Sequence, residues 1–123
     1  MLIAAHRGQP PERQRALALL NDPSRTFVAS PFLYLETVPK AIYHGNTAEV
    51  QFYWTYFDAV LRMVNDVEEI ARVAQAEAER CGLAAMDALH VAAAYLGEAD
   101  VLVTLERPAS PMYRTSLVRV VAL

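Results

Sequence analysis

The chain reads as an α/β protein with a mainly parallel sheet. Short β-type runs at residues 26–29, 101–104 and 117–122 alternate with longer stretches of helical periodicity. The runs at 26–29 and 101–104 are apolar, the pattern of strands buried in a parallel sheet. At 123 residues, with 54% hydrophobic and 20% charged side chains, the chain is one domain's worth and can bury a core of the size such a sheet needs.

The elements follow in order. Met1 to Ala5 is apolar and reads as the end of a buried element. Pro10 and Pro11 suit a helix start, with Ala16, Leu17, Leu19 and Leu20 set against Arg13 and Arg15, and Asn21, Asp22 and Pro23 stop that helix. After the strand at 26–29, Ser30 and Pro31 form an N-cap and first helical position. The helix runs from Phe32 to about Tyr43, with a kink expected at Pro39, and ends at Gly45 and Asn46. Thr47 can cap a helix over residues 48–63 that carries Phe52, Tyr53, Trp54, Tyr56 and Phe57 nearly all round, so it is buried or lies at an interface. Residues 64–67 suit a very short strand. Asp66 caps a helix to Cys81 with Gly82 as its C-cap, and a further helix covers residues 84–96, ending at Gly97. Pro108 and Pro111 mark a loop before the last strand at 117–122.

Composition narrows the function. No apolar run reaches the roughly 20 residues that cross a bilayer, and Arg7 to Pro11 interrupt any signal peptide, so no membrane partner is expected. The lone Cys81 excludes an internal disulfide and a multi-cysteine zinc site, reads as a small buried hydrophobe, and suits a reducing cytoplasm. The net charge of −3 excludes a protein that grips nucleic acid through a large uniform positive field. It leaves open a nucleic-acid enzyme that works through metal ions. Lys40 is the single lysine among the basic residues.

In parallel sheets ligands sit at the carboxyl ends of the strands. Three carboxylates belong there. Glu36 lies on the helix after the 26–29 strand, Asp87 in the first turn of the helix before the 101–104 strand, and Glu106 just beyond Thr104. Hard oxygen donors gathered this way suit Mg²⁺ or Mn²⁺ and, with two ions, attack of water on a phosphodiester. Each also has a plain structural reading: Glu36 as a helix pair with Lys40, Asp87 as a favourable charge at a helix start, Glu106 as a solvated turn residue. His90 shares a helix face with Asp87 and reads as a packed or supporting histidine. His6 and His44 read as exposed. Arg107 and Arg114 flank the Glu106 loop, where they could hold phosphates or simply be solvated.

The stretch Asp87-Ala-Leu-His-Val-Ala-Ala-Ala followed by Ala99-Asp-Val-Leu-Val-Thr-Leu-Glu106 resembles the PIN-domain family, which includes the VapC-like toxin ribonucleases. Ser30-Pro-Phe-Leu-Tyr-Leu-Glu36 looks like its second acidic motif, and Met1-Leu-Ile-Ala-Ala like the tail of its opening motif, Asp-Thr-Asn-Val-Leu-Ile. The resemblance implies a single PIN-like domain over residues 1–123, a three-layer α/β/α fold, and a Mg²⁺- or Mn²⁺-dependent endoribonuclease. On this basis Glu36, Asp87 and Glu106 would be catalytic metal ligands, supported by Thr104. It also implies a homodimer and, for a toxin, an antitoxin partner.

Two departures accompany it. The family usually has Asp, sometimes Asn, at the position of Glu106. Its first aspartate and the central strand that carries it have no counterpart, because Met1 aligns with the valine after that aspartate. The expected explanation is a start that lies upstream. A strand supplied by rearrangement or by a partner, or a decayed remnant, would also account for it. The alternative function is a non-catalytic PIN-like module that binds RNA or protein. A Mg²⁺-dependent phosphatase on another doubly wound fold is a third reading, which needs an aspartate after the first strand.

Overall fold

The computed structural model describes residues 10–123. The expectation for Met1 to Ala5, and with it that for the opening strand, lies outside the described residues, as does His6. Among those described, five α-helices alternate with short parallel strands, so the α/β class holds.

Helix α1 spans Pro10–Leu20. The first strand, β1, is Val28–Ala29, shorter than the run at 26–29, although the carbonyl of Phe27 still accepts from Leu61 N–H at 3.0 Å. Helix α2, Pro31–Tyr43, starts where expected: the Ser30 hydroxyl accepts from the amides of Phe32 and Leu33, and Pro31 needs no N–H in the first turn. Pro39 stands inside this helix on its exposed side.

Helix α3 is Thr47–Ala59, not 48–63, and its cap is Asn46 rather than Thr47. The Asn46 carbonyl oxygen accepts from Glu49 N–H at 3.2 Å, and its amide donates back to the Glu49 carboxylate at 3.0 Å, a reciprocal capping pair. The helix stops because Val60 turns extended and residues beyond it pair with β1. The strand β2 is therefore Arg62–Met63, two residues before the expected 64–67, with Val28 opposite Arg62 and Ala29 opposite Met63. Tertiary pairing has overridden the helical pattern here.

Helix α4, Val67–Cys81, is the most clearly two-sided. Ile70, Ala74, Glu77 and Cys81 are buried at steps of three or four, Asp66 caps its start, and Gly82 ends it in the left-handed region at φ 71°. Helix α5, Ala85–Leu96, packs on α4 through Ala88, Val91, Ala92, Ala93 and Ala94. Its small side chains let it approach β1 and β3 as well as α2. Strand β3, Val101–Thr104, pairs in parallel with β4, Arg119–Ala122, and a 3₁₀ turn at Pro111–Arg114 lies in the connection, where a plain loop was expected.

Two core regions result. One joins α4, α5, Met112 and Val118, with Ile70 and Val91 fully buried; each such side chain contributes roughly 1.5–3 kcal/mol. The other holds α2 to α3 through Val38, Ala41, Val50 and Tyr53. The aromatic cluster on α3 thus splits, with Tyr53 fully buried and Trp54 half exposed. Cys81 is buried and unbridged, as expected. No helix of the described residues is long and apolar enough to cross a membrane.

Candidate functional site

Among the described residues the strands form two separate pairs, β1–β2 and β3–β4. Between them opens a cavity of about 1350 Å³, lined by residues of both β1 and β3. At the carboxyl ends of these strands it receives Ser30, Glu36, Asp87, His90, Thr104 and Glu106.

Each arrives for a local reason. Ser30 ends β1, is fully buried, and uses its hydroxyl to launch α2, whose second turn then carries Glu36. Asp87 sits in the first turn of α5, where the helix dipole favours a negative charge. Thr104 is the buried last residue of β3; its hydroxyl accepts from the Glu106 amide at 3.0 Å. The Tyr113 hydroxyl donates to the Glu106 carbonyl at 3.0 Å, so the backbone of Glu106 is held from both sides while its side chain stays exposed.

Glu36 is not paired with Lys40. Its Oε2 lies 2.8 Å from Nε2 of His90, one helical turn beyond Asp87. The imidazole N–H bonded to the carboxylate lowers the Glu36 pKa, and partial burial opposes this. His90, expected to be packed or supporting, thus contacts Glu36 across the cavity. Arg107 is exposed and lines the cavity. Arg114 does something else: its guanidinium donates to the Cys81 carbonyl at 3.3 Å, closing the end of α4. His44 is exposed, as expected, with its ring edge-on to Tyr43.

The far end of the cavity was not legible from the sequence. There Arg62 bonds the Glu98 carboxylate at 2.9 Å and the Gly97 carbonyl at 3.1 Å, and Asp100 stands nearby on the lining. Glu98 closes the turn after α5 with a positive φ of 58°.

The donor chemistry of Glu36, Asp87 and Glu106 is that of a hard divalent cation. The arrangement is not: among the described residues no three His, Cys, Asp or Glu side chains stand close enough to hold a metal ion. The three carboxylates share a cavity without forming a ready three-donor cage.

The carboxyl ends of parallel strands, where these carboxylates and hydroxyls lie, are where α/β proteins bind ligands. The PIN-domain family model matches residues 1–108, so the chain belongs to the PIN-domain family. The family points to a nuclease; PIN nucleases bind RNA, and PIN domains generally use divalent metals. No curated protein and no solved structure matches the chain.

Proposed function

We propose that this chain is a single PIN-like domain acting as a metal-dependent endoribonuclease, with Mg²⁺ or Mn²⁺ as its cation. The observation that supports it best is that, in a chain of the PIN-domain family, Glu36, Asp87 and Glu106 line one cavity at the strands' carboxyl ends. In the overall reaction water adds to the phosphorus, the P–O bond to the leaving ribose breaks, and the leaving oxygen takes up a proton.

The chain's own residues would divide the work. Asp87 and Glu36 carry negative charge from the two helices that flank the cavity. Glu106 adds a third carboxylate from a loop fixed by Thr104 and Tyr113. Arg107 offers a bidentate partner for backbone phosphate at the rim. The exposed Leu35, Ile42, Tyr43 and Trp54 on α2 and α3 support a working partner protein, an antitoxin or a second copy of the chain.

The test is RNA cleavage by the purified chain with Mn²⁺ or Mg²⁺ and with EDTA. Asp87→Asn is expected to lower cleavage by about a hundredfold or more, on the scale of losing a key charged group at a catalytic site. Its melting temperature should stay near that of the parent. Cleavage that survives both EDTA and Asp87→Asn would remove the assignment. One observation favours a second reading, a non-catalytic RNA-binding module: the carboxylates do not form a closed cage among the described residues. That reading expects RNA binding with no cleavage at any metal concentration.

A further inference from the structure

We infer that the 3₁₀ turn at Pro111–Arg114 braces the Glu106 loop against α4, and that Tyr113 is a positioning residue whose hydroxyl sets where the Glu106 carboxylate stands. This rests on the reading of Glu106 as a working residue of the nuclease. The family match ends at residue 108, so it assigns nothing to Tyr113 or to the turn that carries it.

The loop cannot hold itself by packing, because residues 105–109 are all exposed. Among the described residues nothing bonds the Glu106 carboxylate, so its place follows from its backbone. Three hydrogen bonds fix that backbone. The Glu106 amide donates to the Thr104 hydroxyl at 3.0 Å, and the Ser110 amide donates to the Arg107 carbonyl at 2.8 Å. Both are local and only shape the turn. The third comes from Tyr113, whose hydroxyl donates to the Glu106 carbonyl at 3.0 Å and ties the loop to a separate element. The tyrosine ring suits this use, since a rigid side chain with two torsions places its donor at low entropic cost.

A brace needs a fixed base, and this one has several anchors. Met112 is buried in the larger core, and its amide donates to the Ser110 hydroxyl at 3.4 Å. The Arg114 guanidinium donates to the Cys81 carbonyl at 3.3 Å. The Thr115 hydroxyl donates to the buried Glu77 carboxylate, and Arg80 donates to the Ser116 hydroxyl at 3.2 Å. The residues on either side of Tyr113 are thus pinned to the core and to the end of α4, while its own side chain reaches the other way, to Glu106. The position of an exposed carboxylate is thereby referred to a buried helix. A catalytic group displaced by about 1 Å can lose a hundredfold in rate, so the loss of one such tie reaches the chemistry without unfolding anything.

The experiment uses the full chain and Tyr113→Phe, which removes one oxygen and keeps the ring. Amide exchange followed by NMR should speed up at Glu106 by about 3- to 10-fold, the factor for one net hydrogen bond, with Ile70 and Met112 unchanged. Cleavage of a mixed-sequence RNA with Mn²⁺ should show kcat lower by about fivefold or more, with KM near that of the parent. A double-mutant cycle separates positioning from plain structure: in a Glu106→Ala background, Tyr113→Phe should lower kcat no further, because it acts through Glu106. Unchanged exchange at Glu106 overturns the brace and leaves the nuclease reading standing. Faster exchange with unchanged kcat, or an equal loss with and without Glu106, overturns the positioning role. A parent that cleaves no RNA removes the nuclease reading and the positioning role with it, and the brace is then judged by exchange alone.

Discussion

Glu77 carries more of the structure than its place on a helix suggests. It is 3% exposed, accepts two bonds from the Arg80 guanidinium at 2.9 and 2.8 Å, and accepts a further one from the Thr115 hydroxyl. Arg80 also reaches Ser116, so one carboxylate ties the end of α4 to the chain leading into β4. The bonds from Arg80 hold the Glu77 pKa below its ordinary 4.5, with burial opposing and Thr115 assisting. A lowered pKa in the folded state means that the unfolded chain takes up its proton first as pH falls. The contribution to stability is therefore complete above the ordinary carboxylate value and is lost as pH drops through the lowered one. Urea unfolding at neutral pH and near pH 3 should show a larger acid loss for the parent than for Glu77→Gln. At neutral pH the variant should be less stable by about 1–3 kcal/mol, the range for disturbing a buried charged hydrogen-bonding group. Equal pH dependence in the two proteins would contradict this assignment. Residues of this scale differ in how far they can be read from sequence. Ser30, Asp66 and Gly82 act on neighbours within a turn, and their types announce their roles. The bond from His90 to Glu36 and that from Arg62 to Glu98 join distant parts of the chain, and nothing local marks them.

At the scale of elements, Gly97 decides how closely α5 approaches the first strand pair. A Cβ there would lie 2.4 Å from Val28 Cγ1, 3.0 Å from Val64 Cγ2 and 3.1 Å from the Ala93 carbonyl. Its backbone, φ −82°, is open to any residue, so the demand is for space and not for conformation. Gly97→Ala should cost about 1–3 kcal/mol, the range for overpacking a tight contact, and thermal unfolding would reveal it. A neutral Gly97→Ala would mean that Val28 and Val64 yield freely. From sequence this glycine reads as a helix end, which it is; the contact behind it belongs to elements the periodicity does not connect. The same limit explains the boundary of α3. Residues up to Met63 keep a helical pattern, but the backbone after Ala59 finds better partners in β1. Helices α2 and α4 are legible because cap, periodicity and stop agree on each, and α5, which Ala84 leaves without a side-chain cap, is legible from its apolar run and its stop at Gly97. The three carboxylates are legible as occupants of one edge, since strand ends and helix starts fix their positions. Their spacing within the cavity is a tertiary property and is not written in any one segment.

For the whole molecule, the unevenness of the packing matters most. The α4–α5 pair lies in the larger core with Ile70 and Val91 fully buried, whereas β1 and β2 contribute two residues each and both residues of β2 are exposed. Opening free energy should follow this division. Native-state hydrogen exchange should find the amides of Ile70, Ala74 and Val91 to Ala94 slowest, and those of Val28, Arg62 and Met63 among the fastest of the ordered segments. Uniform protection across both regions would show that the strand pairs are secured by more than the contacts described. The site takes one carboxylate from a helix of each core region, Asp87 from α5 and Glu36 from α2. Movement between these regions is thus movement of the carboxylates relative to each other.

The parallel sense of both strand pairs also fixes an order of assembly. A parallel ladder cannot zip up from a tight turn; Val28 must wait for Arg62, and Val101 for Arg119, with the whole intervening chain already closed into a loop. The α4–α5 pair, joined by only a few residues, faces no such delay. The helical hairpin that bears Asp87 would therefore form early, and the crossing that brings Glu36 beside it late. Refolding would then be governed by the slow closure of long loops.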